Sequence, residues 1–339
     1  MGFLKCYVLL NMLAGKDLIL ATKPFAKEIR WKSWYYTFSS FSLVIASLLG
    51  SYFVPFLFGR IICSLLSALL LARCFMIFHD YQHHSILQKS FLANIIFTIF
   101  GIYILTPPSI WKRSHDHHHN NNSKLFGASI GSFPIMTAEK FKTASDKEKK
   151  IYLAMRHPLT LLFSYFTMFI YGMCLRSFLS SPRRHWDSLL VLLLHFGIAI
   201  FLFIYSGPQT WFLTFFLPFF LTHMLGAYLF YAQHNFPGVI FRKNIEWSYS
   251  NAALESSSYM AMNSFWQWMT ANIGYHHIHH INSRIPFYRL PEAMAKIPEL
   301  QTATITTLNL SDVIKCLRLK VWDVKQNKMI SLAEIKRSE

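Results

Sequence analysis

"IICSLLSALLLARCFMIFHDYQHH", residues 61–84, is an apolar run that passes without a break into three histidines. A membrane span needs roughly 20 mainly apolar residues, and 61–78 is just long enough. A ring nitrogen in such surroundings costs on the order of several kcal/mol unless it finds a partner. The stretch therefore poses two linked questions: what the run crosses, and what the rings at its end hold.

The rest of the chain has the same character. Of 339 residues, 53% are apolar, 17% aromatic and only 14% charged, where a soluble domain carries about 25% charged residues. The apolar residues are bunched into long runs rather than spread at amphipathic spacing, which marks an integral membrane protein. Lys and Arg total 33 against 16 acidic residues, a formal charge of +17. No basic helix or finger motif accompanies that charge, so nucleic acid is excluded as a partner. Cytoplasmic flanks of membrane spans are enriched in Lys and Arg, and such flanks also attract anionic headgroups. The five cysteines (Cys6, Cys63, Cys74, Cys174, Cys316) are scattered, with no C-x-x-C pair, so neither disulfides nor thiolate metal sites are expected.

The opening residues show an apolar run broken by Asn11 and followed by Lys16, without a small-residue cleavage pattern. They read as a cytoplasmic amphipathic segment, residues 1–33, lying on the membrane surface rather than as a signal peptide. Cys6 stands where a myristoylation signal needs Ser or Thr. A membrane domain is expected over 34–300 and a cytoplasmic tail over 301–339.

Six apolar runs lie in the membrane domain: 34–57, 61–78, 91–108, 159–180, 188–206 and 209–231. Histidines cluster at "HDYQHH" (79–84), "SHDHHHNNN" (114–122), "QHN" (233–235) and "ANIGYHHIHHINSRIP" (271–286). For all of these to serve one site they must share one side of the membrane, so the number of crossings between clusters must be even. The run 91–108 therefore cannot cross, and one of the three runs between 119 and 234 must also fail to. Arg183 and Arg184 follow the 159–180 run and Arg176 lies within it, which places that loop in the cytoplasm. The expectation is an all-α membrane protein with about four crossings. Gly59-Arg60 would link the first pair and Gly207-Pro208 the second. The 91–108 and 159–180 runs would dip and return, and a helical cap would carry the histidines on the cytoplasmic face. "SDKEKK" (145–150) reads as a solvated surface segment.

Histidines at i, i+3 and i+4 share one helix face, their side chains about 5–6 Å apart. His79 and His83 have that spacing; His115, His118 and His119 follow H-x-x-H-H, as do His276, His279 and His280. His234 stands alone after the last run. These nine rings exceed what one octahedral ion can use but suit two. Imidazole binds Fe, Zn, Cu and Ni, and the scarcity of acidic partners separates this set from carboxylate-bridged di-iron bundles. The remaining rings (His84, His117, His277) and two carboxylates (Asp80, Asp116) are candidates to orient the ligands. His157, His185, His195 and His223 read as packed or interfacial residues, with His223 able to bond across helices.

At these residues the chain resembles the membrane fatty acid desaturases, the histidine-box family that includes plant and bacterial Δ12-type acyl-lipid desaturases. The resemblance runs from about Lys16 to about residue 300. It covers 78–125 with its Thr-Pro-Pro and Trp111, "FYAQHNFPG" (230–238), "EWSYSNAALESSSY" (246–259) and "NIGYHHIHHINSRIPFYRLPE" (272–292). It implies a non-haem di-iron centre at the cytoplasmic face that uses O2 and two electrons to remove hydrogen from adjacent methylenes of a lipid-linked acyl chain. By position, His79 and His83 match the first box, His115, His118 and His119 the second, and His276, His279 and His280 the third. His234 matches the additional ligand. The first box reads "HDYQHH" in place of the commoner Cys-Gly form. Hydroxylases, conjugases and carotenoid ketolases share the three boxes, so oxygen insertion is the alternative outcome. A non-catalytic metal-binding transporter or sensor is the alternative from another class; it predicts ionisable residues at mid-membrane, where only His195 and His223 fall. No cytochrome b5-like module is read here, "HNFPG" being only superficially similar, so electrons are expected from a separate ferredoxin or cytochrome b5-type donor. An acidic donor would find a basic face to dock on.

Overall fold

The computed structural model describes residues 13–125 and 131–337; the expectations placed on residues 1–12, Cys6 included, lie outside them. Two long helices, α1 (Arg30–Phe53) and α2 (Leu57–Gln82), form the first apolar pair. On α1 the buried residues are Ser33, Thr37, Ser40, Val44, Ser47 and Ser51, alternating steps of four and three that make one stripe. Leu43, Ile45 and Leu49 face outward. Apolar outside and small polar inside reverses the soluble pattern. It suits a helix whose outer solvent is lipid, where helices associate through close packing and hydrogen bonds. The Ser67 hydroxyl accordingly donates to Ser47 across the pair at 2.8 Å. Arg60, at the linking turn, donates to the Ser51 carbonyl at 2.7 Å and to Thr210 at 2.9 Å.

Helix α3 (Phe91–Tyr103) has 13 residues. At 1.5 Å per residue it is about 20 Å long, short of the roughly 30 Å hydrocarbon core. Its last turn closes with Leu105 at φ 61° and the Thr106 amide on the Gly101 carbonyl at 2.9 Å, before Pro107-Pro108. Helix α4 (Trp111–Asn121) follows. After α5 (Asp146–Met155), the 158–180 segment is broken into Pro158–Leu162, a π-helix over Tyr165–Leu175, and Arg176–Ser180. Near its start Leu161 packs on Ala227 and Tyr231. Beyond its end, His185 and Asp187 bond Ser109 at 2.7 and 2.6 Å, just ahead of α4. Both ends thus return to the side that carries the histidines.

The longest apolar stretch, Trp186–His234, comprises α6 (Trp186–Trp211), a π-turn (Phe212–Phe216) and α7 (Leu217–His234). It reverses at Gly207, whose φ of 79° and ψ of 165° belong to a region open essentially to glycine alone. The reversal is visible in packing: the His195 ring lies 4.8 Å from Phe215 and 4.9 Å from Phe219, a meeting that a straight helix would forbid. The expected hairpin at Gly207-Pro208 is present. Three helical stretches are long and apolar enough to cross a membrane, and the third is folded into two antiparallel arms.

The cap is built from short pieces around α8 (His276–Ile281). Strand β1 (Tyr259–Ala261) pairs in parallel with β2 (Ile305–Thr307), and β3 (Leu319–Asp323) pairs antiparallel with β4 (Lys328–Ser331). Residues beyond 300 are therefore woven into the cap. The described part of the N-terminal segment also packs there: Leu18 and Phe25 are buried, and Asn282 donates to Thr22 at 2.9 Å.

Candidate metal centre

Four elements deliver the nine predicted rings. The end of α2 carries His79 and His83, α4 carries His115, His118 and His119, the end of α7 carries His234, and α8 carries His276, His279 and His280. The structure brings all nine together in two groups, His79, His83, His115, His119 and His279 in one, and His118, His234, His276 and His280 in the other. Within each, the ligand atoms lie within 4.8 Å of one another. The groups abut, with the His119 and His280 rings stacked at 4.2 Å.

The facing atoms are all Nε2. His115 Nε2 lies 2.7 Å from that of His79, 2.9 Å from that of His83 and 3.1 Å from that of His119. In the second group His234 Nε2 is 2.8 Å from His276 and 3.1 Å from His118. A neutral imidazole has one N–H and one lone pair, so a nitrogen meeting three others at hydrogen-bond distance cannot satisfy them all. Seven of the rings are buried, His115 and His234 half-buried, and burial together with neighbouring rings holds His115, His118, His119, His276, His279 and His280 well below the usual imidazole pKa. Neutral imidazoles with converging lone pairs and no proton to share are what a divalent cation requires. The residues fit a pair of metal ions.

The opposite ring edge aims two of the imidazoles through hydrogen bonds, whereas the Nδ1 atoms of His79, His119, His276 and His279 are buried without a hydrogen-bond partner. His118 Nδ1 pairs with the Ser132 hydroxyl at 2.6 Å, and His234 Nδ1 with the Ser256 carbonyl at 3.0 Å. Asp80 Oδ1 lies 3.8 Å from His79 Nδ1, and its other oxygen accepts from the Phe287 amide at 2.6 Å, tying α2 to the cap. The other candidates turn elsewhere. His277 bonds the Leu300 carbonyl at 2.9 Å, Asp116 pairs with Lys112 at 2.7 Å, His117 meets Asn121 at 3.4 Å, and His84 is exposed. Of the four histidines read as packed residues, His195 accepts or donates at Tyr165 (2.6 Å) and His223 meets the Phe219 and Ile104 carbonyls. Ser132 and Ser256 carry no sequence signal, because a lone serine in a loop looks like any other.

Gly131, next to Ser132, has φ +69°, and a Cβ there would run into the Ser114 carbonyl. Glycine is what lets this loop lie against α4. An apolar cavity of about 550 Å³ begins at His79, His115 and His276 and is walled by residues such as Phe75, Met76, Phe169, Gly226 and Phe230. It touches both histidine groups and runs between α2, α7 and the 158–180 segment.

An apolar helical fold long enough to cross a membrane, capped by two histidine groups that could hold metal beside an apolar cavity, defines a membrane protein with a candidate metal centre. The comparison with known proteins is narrower: residues 53–307 match the fatty acid desaturase family, and the chain belongs to it. It is 30% identical over 275 residues to a fatty acid desaturase of Bacillus subtilis, covering 80% of this chain and 77% of that one. It is 23% identical over 270 residues to an sn-1 oleoyl-lipid 12-desaturase of Synechocystis, covering 79% and 76%. A chloroplastic omega-6 fatty acid desaturase of spinach (Spinacia oleracea) is 25% identical over 235 residues, 66% of this chain and 50% of that one.

Proposed function

We propose that the protein is an O2-dependent di-iron acyl-lipid desaturase. His79, His83, His115, His119 and His279 hold one iron, and His118, His234, His276 and His280 the other. The observation that carries this reading is the apolar cavity that ends on both histidine groups. The irons, when bound, supply the oxidising power toward an unactivated C–H bond that no side chain has. The chain supplies placement and dryness. Phe75, Met76 and Phe230 confine an acyl chain in one line, so the methylenes nearest His79, His115 and His276 are chosen by geometry rather than chemistry. Trp111 stacks on His115 at 4.9 Å and 16°, closing the site on that side against water.

The active site faces the cytoplasm in this reading. Arg60 is the only cation in the turns at 54–60 and 205–211, whereas Arg183 and Arg184 precede His185, which bonds Ser109 just ahead of α4, and Lys140 lines a cavity with His118 and His234, as the positive-inside rule favours. The electrons come from a separate ferredoxin or cytochrome b5-type carrier docking on that basic face. The test is expression in a host with simple lipids, followed by fatty-acid analysis of iron-replete cells. New double bonds within lipid-linked chains are expected. Products carrying only an added oxygen would instead identify a hydroxylase, and unchanged lipids from an iron-loaded, electron-supplied protein would overturn the reading.

A further inference from the structure

A second cavity, of about 320 Å³, lies on the other side of the wall formed by Ser132, Phe133, Pro134 and Phe230. Its lining shares apolar residues with the first and includes the rings of His118 and His234, but adds cations. Lys124, Lys140 and Arg156 line it, and among the described residues no carboxylate does. Arg156 is 0% exposed. Its guanidinium donates to the Pro134 carbonyl at 3.0 Å, to Asn235 Oδ1 at 2.5 Å and to the Tyr231 hydroxyl at 3.4 Å, all uncharged acceptors, and its Nε has no partner. Lys320 adds a further positive charge, its ammonium on the Arg156 carbonyl at 2.6 Å. Glu148 feels the Lys140 charge, but it lies outside the cavity lining and accepts from the Ser145 amide and hydroxyl at 2.9 and 2.8 Å. Of the three lining cations only Arg156 is buried; Lys124 is half-buried, its ammonium on Asn121 Oδ1 at 2.9 Å and over the Trp247 ring, and Lys140 is exposed. A buried cation with no counter-charge is costly, and the Arg156 end of the cavity is built for an anion to arrive.

We propose that this cavity binds a phosphoryl group, with Arg156 at its floor and Lys124 and Lys140 at its mouth. A phosphoryl group offers several strong acceptor oxygens, which suits donors converging from separate elements. Placement names the ligand further. Helix α5 turns Ile151 and Met155 to the acyl cavity and Tyr152, with Arg156 just beyond its end, to the basic one. One wall thus separates a slot for an apolar chain from a slot for an anion, as a phospholipid carrying its acyl chain into the first cavity requires. That lipid source rests on the desaturase reading; the phosphoryl chemistry does not.

The test is titration calorimetry on the full-length, metal-loaded protein in an uncharged detergent. The probes are inorganic phosphate, dihexanoyl phosphatidylglycerol, and dihexanoylglycerol, which lacks the phosphate. Lys124→Gln and Lys140→Gln, both at the cavity mouth, should weaken phosphate-bearing probes about tenfold each, and Arg156→Gln at least as much where it folds. Binding of the phospholipid with phosphate competing makes the headgroup the source, and binding of phosphate alone makes it the free ion; both uphold the site. Absence of binding by either, binding that ignores the lysine substitutions, or equal binding of dihexanoylglycerol would overturn it. A chain that makes no double bonds yet binds phosphate through these lysines sinks the desaturase reading and leaves this one standing, and the converse result does the reverse.

Discussion

His119 is the ring through which the two histidine groups meet. Its Nε2 lies 3.1 Å from His115 and 3.2 Å from His279, and its face stacks on His280 at 4.2 Å. His119→Ala should therefore lower bound iron below two per chain and cut desaturation by at least about 100-fold, read by metal analysis beside product yield. His277→Ala is the contrast. Its ring holds the Leu300 carbonyl, so the expected loss is about 1–3 kcal/mol of stability in a thermal melt, with iron content kept. Acidity gives a second prediction at this scale. Burial holds His115, His118, His119, His276, His279 and His280 well below the imidazole reference, which is about 6.5 in the unfolded chain. Below that value the unfolded state binds protons the native state refuses, so stability is full above about pH 6.5 and is lost as pH falls. Thermal midpoint and retained iron should both drop between about pH 7.5 and 5.5; flat profiles would contradict neutral, buried rings. The facing of these rings was legible because i, i+4 spacing is local. Arg156 was not, since its partners Pro134 and Asn235 are brought to it only by folding.

Among the elements, the short helix and the broken one are as informative as the long ones. The 91–108 run folds as a 13-residue helix, and the 158–180 run as π-helix and short α pieces. For the clusters to share a face the 91–108 run could not cross, and neither could one of the three later runs, a constraint that needed only the order of runs and rings; Arg176, Arg183 and Arg184 pointed to 159–180 as that one. The π-helix itself was not legible, because wide turns depend on what packs against them: here Tyr165 on His195 and Phe169 on His223. Gly207 supports a test of the hairpin. A Cβ there meets nothing within 4 Å, so Gly207→Ala changes only the backbone energy. The expected cost is about 1–3 kcal/mol, seen as a lower thermal midpoint, while iron content stays as in the parent. A neutral substitution would mean that the arms do not reverse through this conformation.

At the scale of the whole molecule, function depends on a cavity that belongs to no single element. Gly226 lines it, with nothing within 4 Å of where its Cβ would be. Leucine is also a better helix former than glycine, so Gly226→Leu should fold and keep its iron. It should project into the cavity and reduce use of the longest acyl chains roughly tenfold or more relative to shorter ones, read by fatty-acid analysis of lipids from cells fed mixed chain lengths. An unchanged chain-length profile would remove the acyl chain from this cavity. By itself the sequence determined that the chain is a helical membrane protein with four histidine clusters at the ends of its apolar runs, because hydropathy and helical periodicity act over a few residues and need no partner. Only the tertiary structure decided how nine rings divide into five and four, which wall separates an apolar cavity from a basic one, and that the stretch after residue 300 closes the cap. Those are distances between residues far apart in the chain, set by how helices pack, and no local pattern encodes them.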